Sequence, residues 1–207
     1  MSDVRQPTPK PWSMKWIILA IAVFIAVYTI VEIRYRKKGP AYRPYQDAQD
    51  RATTARLLAA GWHKVPLETR RPMEKPELDA PAAGISRELA GLGPDLESKF
   101  AEKPRLVSTI DRVTAPGSVA KGASYVLYFT ATISKLELQV GEITLYQHDR
   151  ELVLIPSIET LPDKGLLSRW NDANYCVSFP TTNLAPGKYT MRIVAMAPAA
   201  KWTFEVK

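Results

Sequence analysis

The sequence predicts a mainly β chain: an N-terminal transmembrane helix, a juxtamembrane helix and a C-terminal β-sandwich. Three observations predict it. Residues 16–33 read WIILAIAVFIAVYTIVEI, an apolar run in which Glu32 is the only charge. Residues 44–61 repeat alanine at helical spacing, and from Arg105 onward apolar residues recur at period two in short runs parted by turn formers. The expected organisation is a disordered tail over 1–13, an anchor over 14–35, a juxtamembrane helix over 36–63, a proline-rich arm over 64–104 and the sandwich over 105–207.

The tail carries Pro7, Pro9 and Pro11 among polar residues. The apolar run that follows would rise about 27 Å as a helix, close to the hydrocarbon thickness of a bilayer. A signal peptide is the competing reading, but its apolar region is normally about 7 to 15 residues long and ends at a small-x-small site. Here the run ends in Arg34, Arg36, Lys37 and Lys38. Trp12 and Trp16 mark one lipid interface, and Tyr35 with Arg36, Lys37 and Lys38 marks the other. Ala22 and Ala26 form a small-xxx-small pair that would let a partner helix approach.

The net charge of +7 divides as +1 over residues 1–33, +4 over 34–104 and +2 over 105–207. The excess lies beside the anchor, where it suits anionic lipid headgroups. No DNA- or RNA-binding motif accompanies it, so nucleic acid is not expected as a partner. Orientation rules pull both ways. Arg5, Lys10, Lys15 and the terminal amine precede the anchor, and five basic residues from Arg34 to Arg43 follow it, a margin of one charge for a cytoplasmic domain. A domain of this size translocates largely regardless of charge, and small sandwiches on single anchors are mostly extracytoplasmic. The expectation is a single-pass inner-membrane protein with a periplasmic domain.

Over residues 44–61, Asp47 and Asp50 sit in the first turns of a helix, Arg51 and Arg56 lie further along, and Gly61 is placed to end it. Ala48, Ala52, Ala55 and Ala59 recur at spacings of 4, 3 and 4. Such a seam buries little area, so it suggests close docking on another backbone, of this chain or of a partner. The next region holds Pro66, Pro72, Pro76, Pro81, Pro94 and Pro104. That density excludes a long regular element and predicts an extended arm with short helical turns at 85–90 and 94–101.

Strands are expected at 106–113, 124–132, 135–140, 142–147, 151–155, 175–179, 188–196 and 202–206. In the last pair, Tyr189, Met191 and Ile193, then Trp202, Phe204 and Val206, each alternate with outward residues to give one core face. Between those strands lie the turns that part them, and one carries a recognisable pattern. The run Leu184-Ala185-Pro186-Gly187-Lys188-Tyr189 resembles the tyrosine corner of immunoglobulin-like and fibronectin-like sandwiches. The resemblance implies a buried Tyr189 whose hydroxyl bonds to nearby backbone.

Catalytic and metal chemistry find little support. There is no Gly-rich phosphate loop, G-x-S-x-G elbow, paired metal-binding histidines or Cys-x-x-Cys. Cys176 is the only cysteine, so no internal disulfide can form. A copper-handling role would need His63 or His148 together with Cys176, Met191 or Met196, which the pattern scatters over separate strands and turns. An enzyme with an unrecognised site is the other alternative. No cofactor is expected. Arg169 and Trp170 suit a binding anchor, since large aromatics and arginine dominate interface hot spots. Alternatively, Trp170 closes one end of the sandwich.

The order of a tryptophan-flanked anchor, Tyr35-Arg36-Lys37-Lys38-Gly39, Tyr42, an Ala/Arg helix and Gly61-Trp62, followed by a small sandwich, resembles the FixH family of membrane-anchored proteins linked to assembly of haem-copper cytochrome oxidases. Together these features lead to the expectation of a non-catalytic accessory or assembly subunit of a larger membrane complex. Its contacts would run through Ala22, Ala26, Ala48, Ala52, Ala55, Arg169 and Trp170, and its partners would be other membrane-protein subunits and anionic lipid headgroups.

Overall fold

In the computed structural model of the chain, residues 13–35, 44–72, 84–161, 167–168 and 170–207 are described. They belong to two compact units, Met1–Arg43 and Pro44–Lys207. Among the described residues of the first unit, helix α1 (Met14–Tyr35) runs 22 residues. It is long and apolar enough to cross a membrane. Within the span, two polar side chains bond inside the helix: Thr29 Oγ1 donates to Ile25 O at 2.8 Å and Tyr28 Oη to Glu32 Oε1 at 3.3 Å.

The second unit opens with α2 (Pro44–Ala59). Its end is a Schellman motif: Gly61 adopts φ +81°, Trp62 N–H donates to Leu57 O at 2.9 Å and Gly61 N–H to Leu58 O at 3.0 Å. The accompanying apolar contact is between Trp62 and Leu57, both buried in one cluster. There follow β1 (His63–Val65), β2 (Glu68–Arg70), β3 (Ser86–Ala90), the short helix α3 (Pro94–Glu97), β4 (Thr109–Thr114), β5 (Ser118–Val119), β6 (Ser124–Thr132), β7 (Leu138–His148), β8 (Glu151–Thr160), β9 (Asp172–Pro180), β10 (Gly187–Ile193) and β11 (Pro198–Val206).

The strands form two sheets, ordered β1-β7-β8-β10-β11-β3 with β5 beside β11, and β2-β9-β6-β4. Their facing sides share one core, built from Tyr125, Leu127 and Phe129 of β6, Tyr175 and Val177 of β9, and Met191, Trp202 and Phe204 of β10 and β11. The far side of the larger sheet is also covered. There Leu57, Trp62, Leu92 and Leu96 pack on Tyr146, Val153, Ile155 and Val194. β8 is therefore buried on both faces, with Leu152 and Leu154 in the first core and Val153 and Ile155 in the second. Its continuous apolar run is what such a strand requires.

Three expectations change. The described parts of residues 64–104 do not form an arm outside the domain. Among the described residues, β1, β2 and β3 pair with β7, β9 and β11. Proline limits these strands to three to five residues but does not prevent pairing at a sheet edge, and Pro66 sits where the chain passes from one sheet to the other. The helical turn expected at 85–90 is strand β3. Pairing with β11, Arg87 Nη1 donating to Ile110 O at 2.7 Å and the Lys201–Glu88 ion pair at 2.5 Å override a locally helix-compatible sequence. The strands expected at 135–140 and 142–147 are one strand, β7, with an irregular step between Val140 and Ile143. Gly141 occupies that step, where an added Cβ would lie 2.7 Å from Glu159 Cδ.

Tyr189 is 3 % exposed, and its hydroxyl donates to Ala185 O at 2.9 Å. The topology departs from an all-antiparallel sandwich at two places: β8 and β10 run parallel, Leu152 opposite Met191 and Leu154 opposite Ile193, and short β5 runs parallel to β11.

Candidate contact surfaces

Helix α2 meets its domain through Leu57, which is 2 % exposed, with half-buried Ala60, and through Thr53 Oγ1, which accepts from Ala101 N–H at 3.0 Å. The alanine seam is not the docking face. Ala48, Ala55 and Ala59 are exposed, and Ala52 is half-buried. One leucine buried with the Trp62 indole removes more apolar area from water than a row of methyl groups, so it sets the rotation of the helix. Trp62 in turn lies against His148, ring centroids 5.0 Å apart.

On α1, Ala22, Ala26 and Trp16 are exposed along the helix, and Tyr35 is its last residue. Trp12, Arg36, Lys37, Lys38 and Arg169 lie outside the described residues. Trp170 is 66 % exposed, so it does not close the core.

Trp170 stands at one end of the domain with other apolar side chains that sequence reasoning missed. The loops there are tied by backbone bonds: Ile133 N–H to Asn171 O at 2.8 Å, Ser168 N–H to Leu136 O at 2.6 Å, Met196 N–H to Val107 O at 2.8 Å and Ala197 N–H to Ser108 O at 2.9 Å. On them Leu136, Leu167, Trp170 and Met196 are exposed, and Leu89 of the adjoining β3 edge is 89 % exposed. The signal available in the sequence was an apolar residue in each of three separate loops, a pattern that no periodicity highlights.

Of the residues considered for metal binding, His63 lies opposite Gln147, next to His148, but the sulfur residues are not gathered with them. Met191 is in the core, Met196 and His148 are at opposite ends of the domain, and Cys176 lies on the outer side of the smaller sheet. Among the described residues no group of three His, Cys, Asp or Glu side chains is placed to hold a metal ion. Beside Cys176, its hydrogen bond holds the Tyr128 hydroxyl above the ordinary phenol range, and burial adds to the effect while Arg70 opposes it. A hollow of about 50 Å³ next to this pair is lined by Arg112, Thr114, Tyr128, Thr130 and Asn174. Thr130 Oγ1 donates to Asn174 Oδ1 at 2.8 Å inside it. Such a space takes a few waters and is far smaller than an organic-ligand site.

The chain matches no family model, and no curated protein or solved structure is similar to it.

Proposed function

We propose that the protein is a non-catalytic, single-pass membrane subunit that helps to assemble or support a larger membrane protein complex by contact, with its domain outside the cytoplasm. The observation that carries this reading is the rotation of α2. The helix follows a segment long enough to span a bilayer, is held to its own domain by Leu57, and leaves Ala48, Ala55 and Ala59 uncovered. A narrow face of small residues admits a second backbone at close range. The Tyr189 bond to Ala185 supports an immunoglobulin-like ancestry for the sandwich, and the order of anchor, Ala/Arg helix and sandwich supports a FixH-like assembly role in respiratory or photosynthetic electron transfer.

The test is photo-crosslinking in native membranes from a probe at Ala55, with a probe at exposed Lys188 as control. Discrete adducts with membrane subunits from Ala55 alone are expected, along with co-purification of those subunits in mild detergent. A chain that stays monomeric in several mild detergents and yields no adduct overturns the reading. A topology reporter fused after Lys207 checks the side: phosphatase activity without cytoplasmic fluorescence is expected.

A further inference from the structure

The large apolar side chains exposed on the second unit are unevenly distributed. Leu89, Leu136, Leu167, Trp170 and Met196 share one end, and only Leu58 and Ile85 lie elsewhere among the described residues. The opposite end, where β7 turns into β8 and β10 begins, presents His148, Asp149, Arg150, Lys188 and Lys207. We propose that the apolar end seats in the interfacial layer of a lipid bilayer, with Trp170 at headgroup depth and Leu136, Leu167 and Met196 reaching the acyl boundary.

The form of the surface favours lipid over a protein partner. The side chains come from three connections between strands and from the edge strand β3, and a fluid phase accommodates such scattered points where a protein interface needs a complementary, close-packed surface. The described residues beside them are tied in advance of binding by backbone bonds joining residue 133 to 171, 136 to 168 and 196 to 107. An indole beside leucines and an exposed lysine, Lys135 next to Leu136, has the amphipathic chemistry of the headgroup region. Among the described residues, exposed Glu137 and Asp172 at the same end offset Lys135, so apolar burial, and not charge, is the main attraction there. The bilayer is at hand in the chain itself: eight residues separate the last residue of α1 from Pro44, a reach of at most about 30 Å.

The inference rests on the membrane address in the proposed function, and the experiment separates the two. The full chain carrying Cys176→Ser is reconstituted in phosphatidylcholine vesicles containing phosphatidylglycerol. Nitroxide labels are placed singly through Leu167→Cys, Met196→Cys and, at the opposite end, Lys188→Cys. Co-flotation with vesicles reads the address. The ratio of collision with oxygen to collision with a water-soluble nickel chelate then reads depth. A raised ratio at 167 and 196 but not at 188, falling when Trp170→Glu is added, is the expected result. Flotation with labels at 167 and 196 as open to nickel as the one at 188 overturns the inference and leaves the address intact. Labels at 167 and 196 that are shielded from both reagents, in vesicles and in detergent alike, overturn it in favour of a protein-covered surface. Failure to float overturns the address and the inference together.

Discussion

Trp202 Nε1 donates to the hydroxyl of Tyr125 at 3.0 Å, and that hydroxyl donates onward to Pro116 O at 2.9 Å. The relay lets two of the largest buried side chains enter the core with their polar atoms paired, and it ties β11 and β6, one from each sheet, to the turn before β5. Burial pushes the Tyr125 phenol up to about 12, against the opposing pull of the Trp202 bond. In the unfolded chain it ionises near 10, so between those values the folded state retains a proton that the unfolded state has lost. Stability is therefore full below pH 10 and falls as pH rises towards 12, by on the order of 2 to 3 kcal/mol. Tyr146 and Tyr175, raised by burial, act in the same direction. Urea unfolding of the full chain in detergent from pH 8 to 11.5 measures the slope, and Tyr125→Phe should flatten it.

Tyr189→Phe keeps the ring and deletes the bond to Ala185 O. The loss should be about 1 to 3 kcal/mol, because a backbone carbonyl at the turn is left without its partner. A shift in the urea midpoint at constant slope is the measurement, with flotation on vesicles unchanged.

Leu57→Ala should cost about 2 to 5 kcal/mol, since it empties the centre of the second core. Ala55→Lys, one face away and exposed, should stay within about 0.5 kcal/mol in the same unfolding assay while abolishing crosslinks from a probe moved to exposed Ala48. The pair separates holding the helix in place from presenting it.

Gly61→Ala should cost about 1 to 2 kcal/mol, because φ +81° is strained for any residue with a Cβ. The added atom would also come within 3.2 Å of His148 Cδ2. Trp62 is seated by the same turn, so its fluorescence should shift to the red.

The strands with one buried face were legible. β6 is found at the residues expected, and the alternation of Tyr189, Met191 and Ile193 with Lys188, Thr190 and Arg192 appears as buried and less buried positions. What the sequence hid was partnership at long range. Nothing local in Ser-Arg-Glu-Leu-Ala announces a strand, because its hydrogen bonds come from β11. The unbroken run in β8 marked a strand, but not the parallel neighbour β10 on one side or the helical cover over Val153 and Ile155. The alanine spacing on α2 was real, yet a single leucine off that line decided which face turned inward. For Trp170, in a loop without period, the sequence leaned towards a side chain closing the sandwich over an exposed binding anchor; the fold exposes it.

The two-sided burial of β8 sets an order of events for a growing polypeptide. One of its covers, α2, is synthesised before it, but β10 and Val194, the residue that follows β10, come after β9. The clamps around that cover join Leu92 to Arg192 and Glu88 to Lys201, 100 and 113 residues apart. Until those distant segments have emerged, Val153 and Ile155 remain an unfinished apolar strand with an open edge, slow to close because the loops are long and prone to pair with other chains meanwhile. A nascent chain halted between β9 and β10 would depend on chaperones in a way that the finished protein does not.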